Sequence, residues 1–306
     1  MKNESYPIDQ SALFKVRSKR RLAEVLGLTL VELNSLQAEH NYHEFKLQPN
    51  QLIEHRLFQK KPRQIQNPCR KLKAVQKRIL RLLNRVVVPD YLYSAVKGRS
   101  YIDNANQHKE QAVTFCVDIK DFYSNTGLKQ VRSFFLDTLK CSPDVAFILS
   151  SIVCYHDKGS VFYCLPTGGP VSPLLAYWVN KDMFERLSEY ASSHDLTMTV
   201  YVDDLTFSGS KISKQMQSHI ISLISKHNYV AHKFKYYGAR AWKIITGEAV
   251  KNDQTRAPNK LKAKMRIAHR EYNKHPQKRE QLKNTINGLA TAIRQIDQTV
   301  SITFVR

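Results

Sequence analysis

Two adjacent carboxylates between two short apolar runs constrain this chain more than any other feature. Residues 197–201 and 205–208 have the β-branched and aromatic character of strands, and Val202, Asp203 and Asp204 join them as the tip of a predicted hairpin. Like charges at this spacing repel each other, so the pair favours a site where a divalent cation neutralises them. Aspartate also suits ordinary turns, and the pair alone therefore leaves a structural turn as the alternative.

A third carboxylate follows a separate strand. Residues 113–117 form a largely apolar run that predicts a buried strand, and Asp118 stands at its end. If this strand lies beside the hairpin, Asp118, Asp203 and Asp204 can hold two Mg²⁺ ions about 3.5–4 Å apart. Such ions activate an attacking hydroxyl and neutralise a leaving pyrophosphate, and phosphoryl transfer needs little other chemistry from the protein. The pattern therefore predicts metal-dependent phosphoryl transfer.

The distribution of charge indicates a polyanionic partner. The chain has 48 Lys and Arg against 26 Asp and Glu, a formal net charge of +22. Residues 56–99 contain 13 basic residues and one acidic residue, and residues 256–306 contain 12 and three, whereas the centre is closer to balance. A generally basic surface and a membrane-surface protein are the alternatives. Two basic arms around a mixed centre favour a nucleic acid held in a cleft.

The sequence also predicts a cytoplasmic protein. No apolar run is long enough to span a bilayer and the N-terminus has no signal-peptide core, so no membrane partner is expected. The five cysteines are odd in number and form no CxxC pair. This pattern favours reduced thiols over a disulfide framework or a zinc site.

Apolar periodicity divides the chain into a basic helical part, a mixed centre and a basic helical tail. Helices are predicted at residues 71–87, 128–139, 143–153, 174–190 and 213–226. A further strand and turn are predicted at residues 242–247. A C-terminal amphipathic helix is indicated by Leu282, Ile286, Leu289, Ile293 and Ile296.

Four motifs in order carry a resemblance to a known family. They are Lys61-Pro62-Arg63-Gln64-Ile65, Asp118-Ile119-Lys120-Asp121-Phe122-Tyr123, Leu165-Pro166-Thr167-Gly168-Gly169-Pro170-Val171-Ser172-Pro173 and Val200-Tyr201-Val202-Asp203-Asp204-Leu205-Thr206-Phe207-Ser208. The last contains the YxDD signature, and the set resembles reverse transcriptases. Asn104-Ala105-Asn106-Gln107-His108 matches an NAxxH element of bacterial retron enzymes, and Ile245-Thr246-Gly247 stands where they usually have Val-Thr-Gly. The chain therefore resembles the bacterial retron reverse transcriptase family.

The resemblance implies an α+β fold of the right-hand polymerase type, with an antiparallel palm sheet and mostly helical fingers and thumb. The basic, helical fingers are expected at residues 1–110. The catalytic palm, with part of the fingers, is expected at residues 111–252. A basic, helical, RNA-binding thumb is expected at residues 253–306.

The resemblance also assigns roles around the three carboxylates. It implies that Asp118, Asp203 and Asp204 are catalytic and bind two Mg²⁺ ions, for which Mn²⁺ is expected to substitute, and that the carbonyl of Ile119 adds a ligand. Tyr123 matches the aromatic residue that excludes ribonucleotides by stacking under the incoming sugar. An ordinary core aromatic is the alternative for Tyr123.

Further residues are expected to bind the incoming nucleotide. Arg63, assisted by Lys61, would hold the triphosphate, although each could be a solvated surface charge. Lys235 aligns with a lysine that donates a proton to pyrophosphate. Gly168 would let the backbone approach the nucleotide closely. Thr167 and Val171 replace the usual Gln and Thr of this motif.

A last group is expected to contact RNA. Its members are Asn104 and His108 in the NAxxH element and, in the thumb, Lys260, Lys262, Lys264, Arg266, Arg270 and Tyr272. For Asn104 and His108 the alternative is polar ordering of the fingers loop. For the thumb residues the alternative is a helix that follows the duplex without specificity.

The expected function is to copy part of a partner RNA into multicopy single-stranded DNA. The resemblance implies dNTP substrates, priming from a 2′-hydroxyl of a structured noncoding RNA, a branched RNA–DNA product, and a role in antiphage defence with an effector (toxin) protein. A group II intron-like or abortive-infection reverse transcriptase is an alternative. A ribonucleoprotein scaffold that restrains a toxic effector is another.

Overall fold

A computed structural model describes residues 5–36, 41–48, 62–156 and 163–297. The strands in this part are β1 Tyr42–Leu47, β2 Arg63–Pro68, β3 Val113–Ile119, β4 Tyr155–His156, β5 Tyr163–Cys164, β6 Thr197–Tyr201, β7 Asp204–Gly209, β8 Ala231–Tyr237, β9 Lys243–Ile245, β10 Glu248–Lys251 and β11 Gln254–Arg256. The α-helices are α1 Lys19–Leu26, α2 Leu30–Ser35, α3 Arg70–Leu83, α4 Tyr101–Asn106, α5 Phe122–Asn125, α6 Leu128–Ser133, α7 Pro143–Val153, α8 Ser172–Val179, α9 Lys181–Ser192, α10 Lys214–Lys226, α11 Asn259–Lys274 and α12 Arg279–Ile296.

A four-stranded antiparallel sheet in the order β6-β7-β3-β8 forms the centre of the fold. Its central strands alternate apolar and polar residues, so the two sets lie on opposite faces. The polar face is buried as well, at Thr114, Thr206 and Ser208. Phe115, Val117, Leu205 and Phe207 belong to the core, and helices α9 and α10 contact the sheet through β6 and β8. The predicted antiparallel palm sheet is confirmed.

The predicted hairpin and its flanking helices are present, with two differences in the helices. The expected helix at 174–190 is divided into α8 and α9 at Asn180, whose side chain donates to the carbonyl of Ala176 at 2.9 Å and accepts from the Tyr229 hydroxyl at 2.9 Å. The helix expected at 128–139 changes after α6 into a π-helical turn, Phe134–Thr138. The break at Asn180 thus accompanies hydrogen bonds of its side chain, one of them to a residue distant in sequence, which apolar spacing does not reveal.

The described residues of the range predicted as fingers contain helices and one hairpin. The helices are α1 to α4, and in the hairpin β1 and β2 pair antiparallel with Leu47 opposite Arg63. The residues of β2 lack apolar alternation, which explains why the sequence pattern did not predict a strand there.

A small three-stranded sheet leads into the C-terminal helices. Its order is β11-β10-β9, and the β10–β11 pair crosses the expected boundary between residues 252 and 253. This small sheet therefore continues to Arg256. Helices α11 and α12, which pack through Ala268, Leu282 and Ile286, occupy the range predicted as the thumb. Within the described residues, no helix combines the length and apolar character needed to cross a bilayer.

Gly168 lies at a close contact between the fingers hairpin and the palm. A Cβ at this position would be 2.4 Å from the backbone carbonyl oxygen of Gln66 in β2. The neighbouring Thr167 donates its backbone N–H to the Gln66 side chain at 3.1 Å, and its hydroxyl lies 3.0 Å from the carbonyl of Gln64. Close packing of backbone against backbone thus explains why residue 168 is a glycine, and this explanation requires no contact with a nucleotide.

We predict that Gly168→Ala destabilises the protein by about 1–3 kcal/mol, because a backbone segment must move to admit the methyl group. Chemical denaturation measures this change. Gly288→Ala in α12 is the matched control: nothing lies within 4 Å of its added Cβ, and the helix should gain up to about 1 kcal/mol. Equal stability of Gly168→Ala and wild type would refute the packing account.

Candidate active site

Backbone pairing brings the three predicted aspartates to one end of the central sheet. Asp118 is the antiparallel partner of Asp204 in the β3–β7 register. The N–H of Ile119 donates to the carbonyl of Asp203 at 2.9 Å. The convergence that the sequence suggested is therefore built from main-chain hydrogen bonds, which do not depend on the carboxylates themselves.

The turn that carries Asp203 has an unusual backbone conformation. Val202 has φ of 61°, a left-handed conformation that is costly for a β-branched residue. Its N–H donates to the hydroxyl of Ser94 at 3.0 Å. On the outer edge of β6, the N–H of Tyr93 donates to the carbonyl of Val200 at 2.9 Å. Contacts from the segment that contains Tyr93 and Ser94 hold the strained turn in place.

The site carries more negative charge than its surroundings neutralise. Burial, with the charges of Asp118 and Asp204, raises the pKa of Asp203 to about 6. Burial and the charge of Asp118 also raise the pKa of Asp204. Burial is the larger cause of both shifts, and the neighbouring carboxylates add to it.

Asp118 is contacted by two basic side chains from the edge strand β8. Lys233 donates to its Oδ2 at 2.9 Å, and His232 Nε2 contacts its Oδ1. A β-bulge produces this arrangement, because Cys116 pairs with Lys235 whereas Asp118 pairs with His232. Lys233 has φ of 52° at the bulge. Sequence reasoning missed both residues, since nothing in the strand pattern signals the extra residue.

The donor chemistry at this site suits magnesium. Carboxylate and carbonyl oxygens are the ligands that hard divalent cations prefer, and a cation would offset the repulsion that raises the pKa of Asp203. In the described ranges, however, no three His, Cys, Asp or Glu side chains already form a ligand set. Asp118 is directed to His232 and Lys233 instead.

Tyr123 lies close to the carboxylates. It follows Asp121, which has a left-handed φ of 50°, in the short helix α5. Burial and the nearby charge of Asp203 raise its pKa above the ordinary value. The ring is stacked against Phe122, with 6.2 Å between centroids. The structure thus places a half-buried tyrosine beside the aspartates.

A cleft of about 810 Å³ extends from the aspartates to the first thumb helix. It is lined on one side by Asp118, Asp204 and Lys235, and on the other by thumb residues that include Lys260, Lys262 and Lys264. The structure therefore places Lys235 and these three predicted lysines around one cavity. Its walls combine the carboxylates with a row of basic residues.

The other predicted binding residues lie elsewhere. Arg63 is exposed at the start of β2, and Lys61 lies outside the described residues. Arg266 and Arg270 are exposed on α11. Tyr272 packs between α11 and α12, and the Arg279 guanidinium lies over its ring at 5.5 Å from the centroid.

The structure corrects the prediction that Asn104 and His108 contact RNA. Their side chains are 1% and 0% exposed. Asn104 Nδ2 lies 3.4 Å from Thr246 Oγ1, and the His108 ring nitrogens contact Ser208 and Thr199. The NAxxH and Ile-Thr-Gly motifs thus meet inside the protein, where both side chains have protein partners.

Comparisons with known proteins agree on one family. The family model described as reverse transcriptase (RNA-dependent DNA polymerase) matches residues 50–238. The retron Se72 reverse transcriptase of Salmonella heidelberg (strain 579083-10) is 30% identical over 68% of this chain and 53% of its own length. The retron Ec86 reverse transcriptase of Escherichia coli is 28% identical over 64% of this chain and 61% of its own length. The matches thus span about half to three-fifths of these curated relatives.

We predict that Asp203→Asn stabilises the metal-free protein by about 1 kcal/mol at pH 7.5, because it removes a partly buried charge that faces two others. The folded-state pKa of about 6 exceeds the ordinary 3.8. As the pH falls below 6, Asp203 takes up a proton in the folded wild type before it does so in the unfolded chain, and this stabilises the folded state. The stability advantage of the variant should therefore vanish near pH 4. Denaturation in EDTA across this range measures the difference.

The control is Asp137→Asn, a change at an exposed aspartate, which should leave stability close to that of wild type. An Asp203→Asn variant no more stable than wild type at pH 7.5 would contradict the repulsion.

Proposed function

Because the chain belongs to the reverse transcriptase family, we propose that it is an RNA-directed DNA polymerase of the retron type. The observation that carries the proposal is the β3–β7 register that sets Asp118 opposite Asp204, next to Asp203 in the turn. The similarity to the retron Se72 and Ec86 enzymes supports the retron assignment.

In this proposal Asp118 and Asp203 are the principal ligands of two Mg²⁺ ions, with Asp204 in support, the Ile119 carbonyl as a further ligand and Mn²⁺ as a substitute. The ions supply activation of the primer hydroxyl and neutralisation of the leaving pyrophosphate. Asp118 must release Lys233 and His232 to take this role. Lys233 and Lys235 then remain beside the cleft as positive charges for the nucleotide phosphates.

The cleft between the sheet and α11 is the proposed path of the template–primer duplex. Lys260, Lys262 and Lys264 line it and would neutralise phosphates, while Arg266, Arg270 and Tyr272 would extend the contact along the thumb. Release of counterions from the duplex favours such binding and makes it sensitive to salt. Arg63 and Lys61, from the fingers, would hold the incoming triphosphate, and Gly168 would lie near the nucleotide.

We further propose that the template is part of a structured noncoding RNA and that the product is multicopy single-stranded DNA primed from a 2′-hydroxyl. The setting would be the cytoplasm, with an effector (toxin) protein as partner in antiphage defence. The NAxxH element and its Ile-Thr-Gly partner favour this assignment over a group II intron-like or abortive-infection enzyme.

Purified protein, expressed with its neighbouring noncoding region, is predicted to carry a DNA strand joined to RNA. Separate RNase and DNase treatments followed by denaturing electrophoresis identify the two parts. Asp203→Asn should bind the same RNA but carry no DNA, because the carboxylate that holds the ions is absent. Bound RNA without DNA in the wild type would favour a scaffold that restrains an effector. DNA in the Asp203→Asn sample would contradict the catalytic assignment.

Tyr123→Ala is predicted to incorporate ribonucleotides at least about tenfold more readily than wild type, because the half-buried ring beside Asp203 no longer excludes a 2′-hydroxyl. Single-nucleotide primer extension with matched dNTP and rNTP measures the ratio of kcat/KM values. Tyr123→Phe, which keeps the ring, is the control and should discriminate as wild type does. Unchanged sugar discrimination in Tyr123→Ala would make Tyr123 an ordinary core aromatic.

A further inference from the structure

His108 bridges the two strands of the catalytic hairpin. Its Nδ1 lies 2.6 Å from the hydroxyl of Ser208 in β7, and its Nε2 lies 2.7 Å from the hydroxyl of Thr199 in β6. The ring and both partners are almost completely buried, at 0%, 0% and 1% exposure. One side chain thus satisfies a polar group on each strand, in a place that water does not reach.

The bridge lies close to the catalytic turn. Thr199 precedes Asp203 by four residues, and Ser208 follows Asp204 by four residues. β7 is paired on both sides, with β6 and β3, and β6 is paired with β7, which limits bending of either strand over such a distance. A change in how His108 holds the two strands would therefore be transmitted to the carboxylates at the turn.

The other end of this connection is the small sheet at the base of the thumb. Lys243 in β9, which is 1% exposed, donates its ammonium to the carbonyl of His108 at 3.2 Å and also to the carbonyl of Gln111. Thr255 in β11 donates to Asn106 Oδ1 at 2.8 Å. The segment from α4 to His108 thus joins the hairpin to the sheet from which α11 emerges.

An ordinary buried histidine that only fills space is the alternative. A phenylalanine would fill the same space, yet here both ring nitrogens have hydroxyl partners at short distances. Burial and the nearby Lys243 lower the pKa of His108 to about 3, so the ring is neutral at pH 7. A neutral ring has one donor and one acceptor nitrogen, which two hydroxyls can match.

We propose that His108 is a positioning residue for polymerisation: by bridging Thr199 and Ser208, it fixes the catalytic turn relative to the sheet at the base of the thumb. It contacts neither substrate nor metal ligand and acts through the hairpin. Its effect on polymerisation rests on the proposed function, whereas its effect on the hairpin does not.

The test compares three variants at a temperature where all remain folded. His108→Ala removes the bridge, His108→Phe fills the space without hydrogen bonds, and Leu149→Ala in α7 creates a cavity in the core away from the hairpin. We expect the two His108 variants to lose about tenfold to a hundredfold in kcat for primer extension, with the KM for dNTP within about threefold of wild type. Leu149→Ala should lose comparable stability and keep kcat.

Chemical rescue separates hydrogen bonding from packing. Free imidazole should enter the cavity of His108→Ala and restore part of the lost kcat. It should not restore His108→Phe, whose ring occupies the space. If His108→Ala does not fold, the nearly isosteric Thr199→Val removes one end of the bridge and should show the same loss of kcat.

Hydrogen exchange of the peptide covering residues 197–209 provides a readout that needs no activity. This peptide should exchange faster in His108→Ala and His108→Phe than in wild type and Leu149→Ala. Unchanged exchange of this peptide overturns the proposal, as does a kcat loss that merely follows the loss of stability across all variants. A wild type without polymerase activity would refute the proposed function, while the exchange result would still decide whether His108 positions the hairpin.

Discussion

Mutual repulsion of three carboxylates at one end of a sheet is the constraint on which the rest of this structure depends. The β3–β7 register holds Asp118 opposite Asp204, and partial burial beside these charges raises the pKa of Asp203 to about 6. Such a site persists only if the surrounding structure fixes its position. Main-chain pairing fixes the strands, Ser94 holds the strained turn at Val202, and Lys233 of the bulged strand β8 forms an ion pair with Asp118.

The same constraint links the site to its proposed ligands. Carboxylates that repel one another gain from divalent cations, and a cleft lined by lysines gains from phosphates. Carboxylates and lysines line one cavity of about 810 Å³. Bound metal ions would offset its negative charges, and the phosphates of nucleotide and duplex would offset its positive charges. Lys233 offsets part of the negative charge through its ion pair with Asp118, which His232 also contacts. Part of the excess positive charge of the chain, +22 in total, thus lies around the proposed active site.

Local patterns predicted the hairpin, the strand before Asp118 and most helices, because each depends on the periodicity of neighbouring residues. The family motifs predicted the convergence of Asp118 with Asp203 and Asp204. Features set by distant contacts were not predictable in this way. The bulge at Lys233 depends on pairing with β3, and the burial of His108 depends on two strands that lie about 90 to 100 residues later in the chain. An NAxxH motif shows polar residues but not whether they face solvent, so it suggested RNA contacts where the protein has an internal bridge.

Manganese binding to metal-free protein tests the central claim most directly, since it measures the carboxylates as ligands without requiring synthesis. Electron paramagnetic resonance of free Mn²⁺ during titration gives the affinity in the presence of template–primer and dNTP. The account predicts binding in the wild type that weakens at least about tenfold in both Asp118→Asn and Asp203→Asn, with Asp137→Asn unchanged. Equal manganese affinity in all four proteins would contradict it.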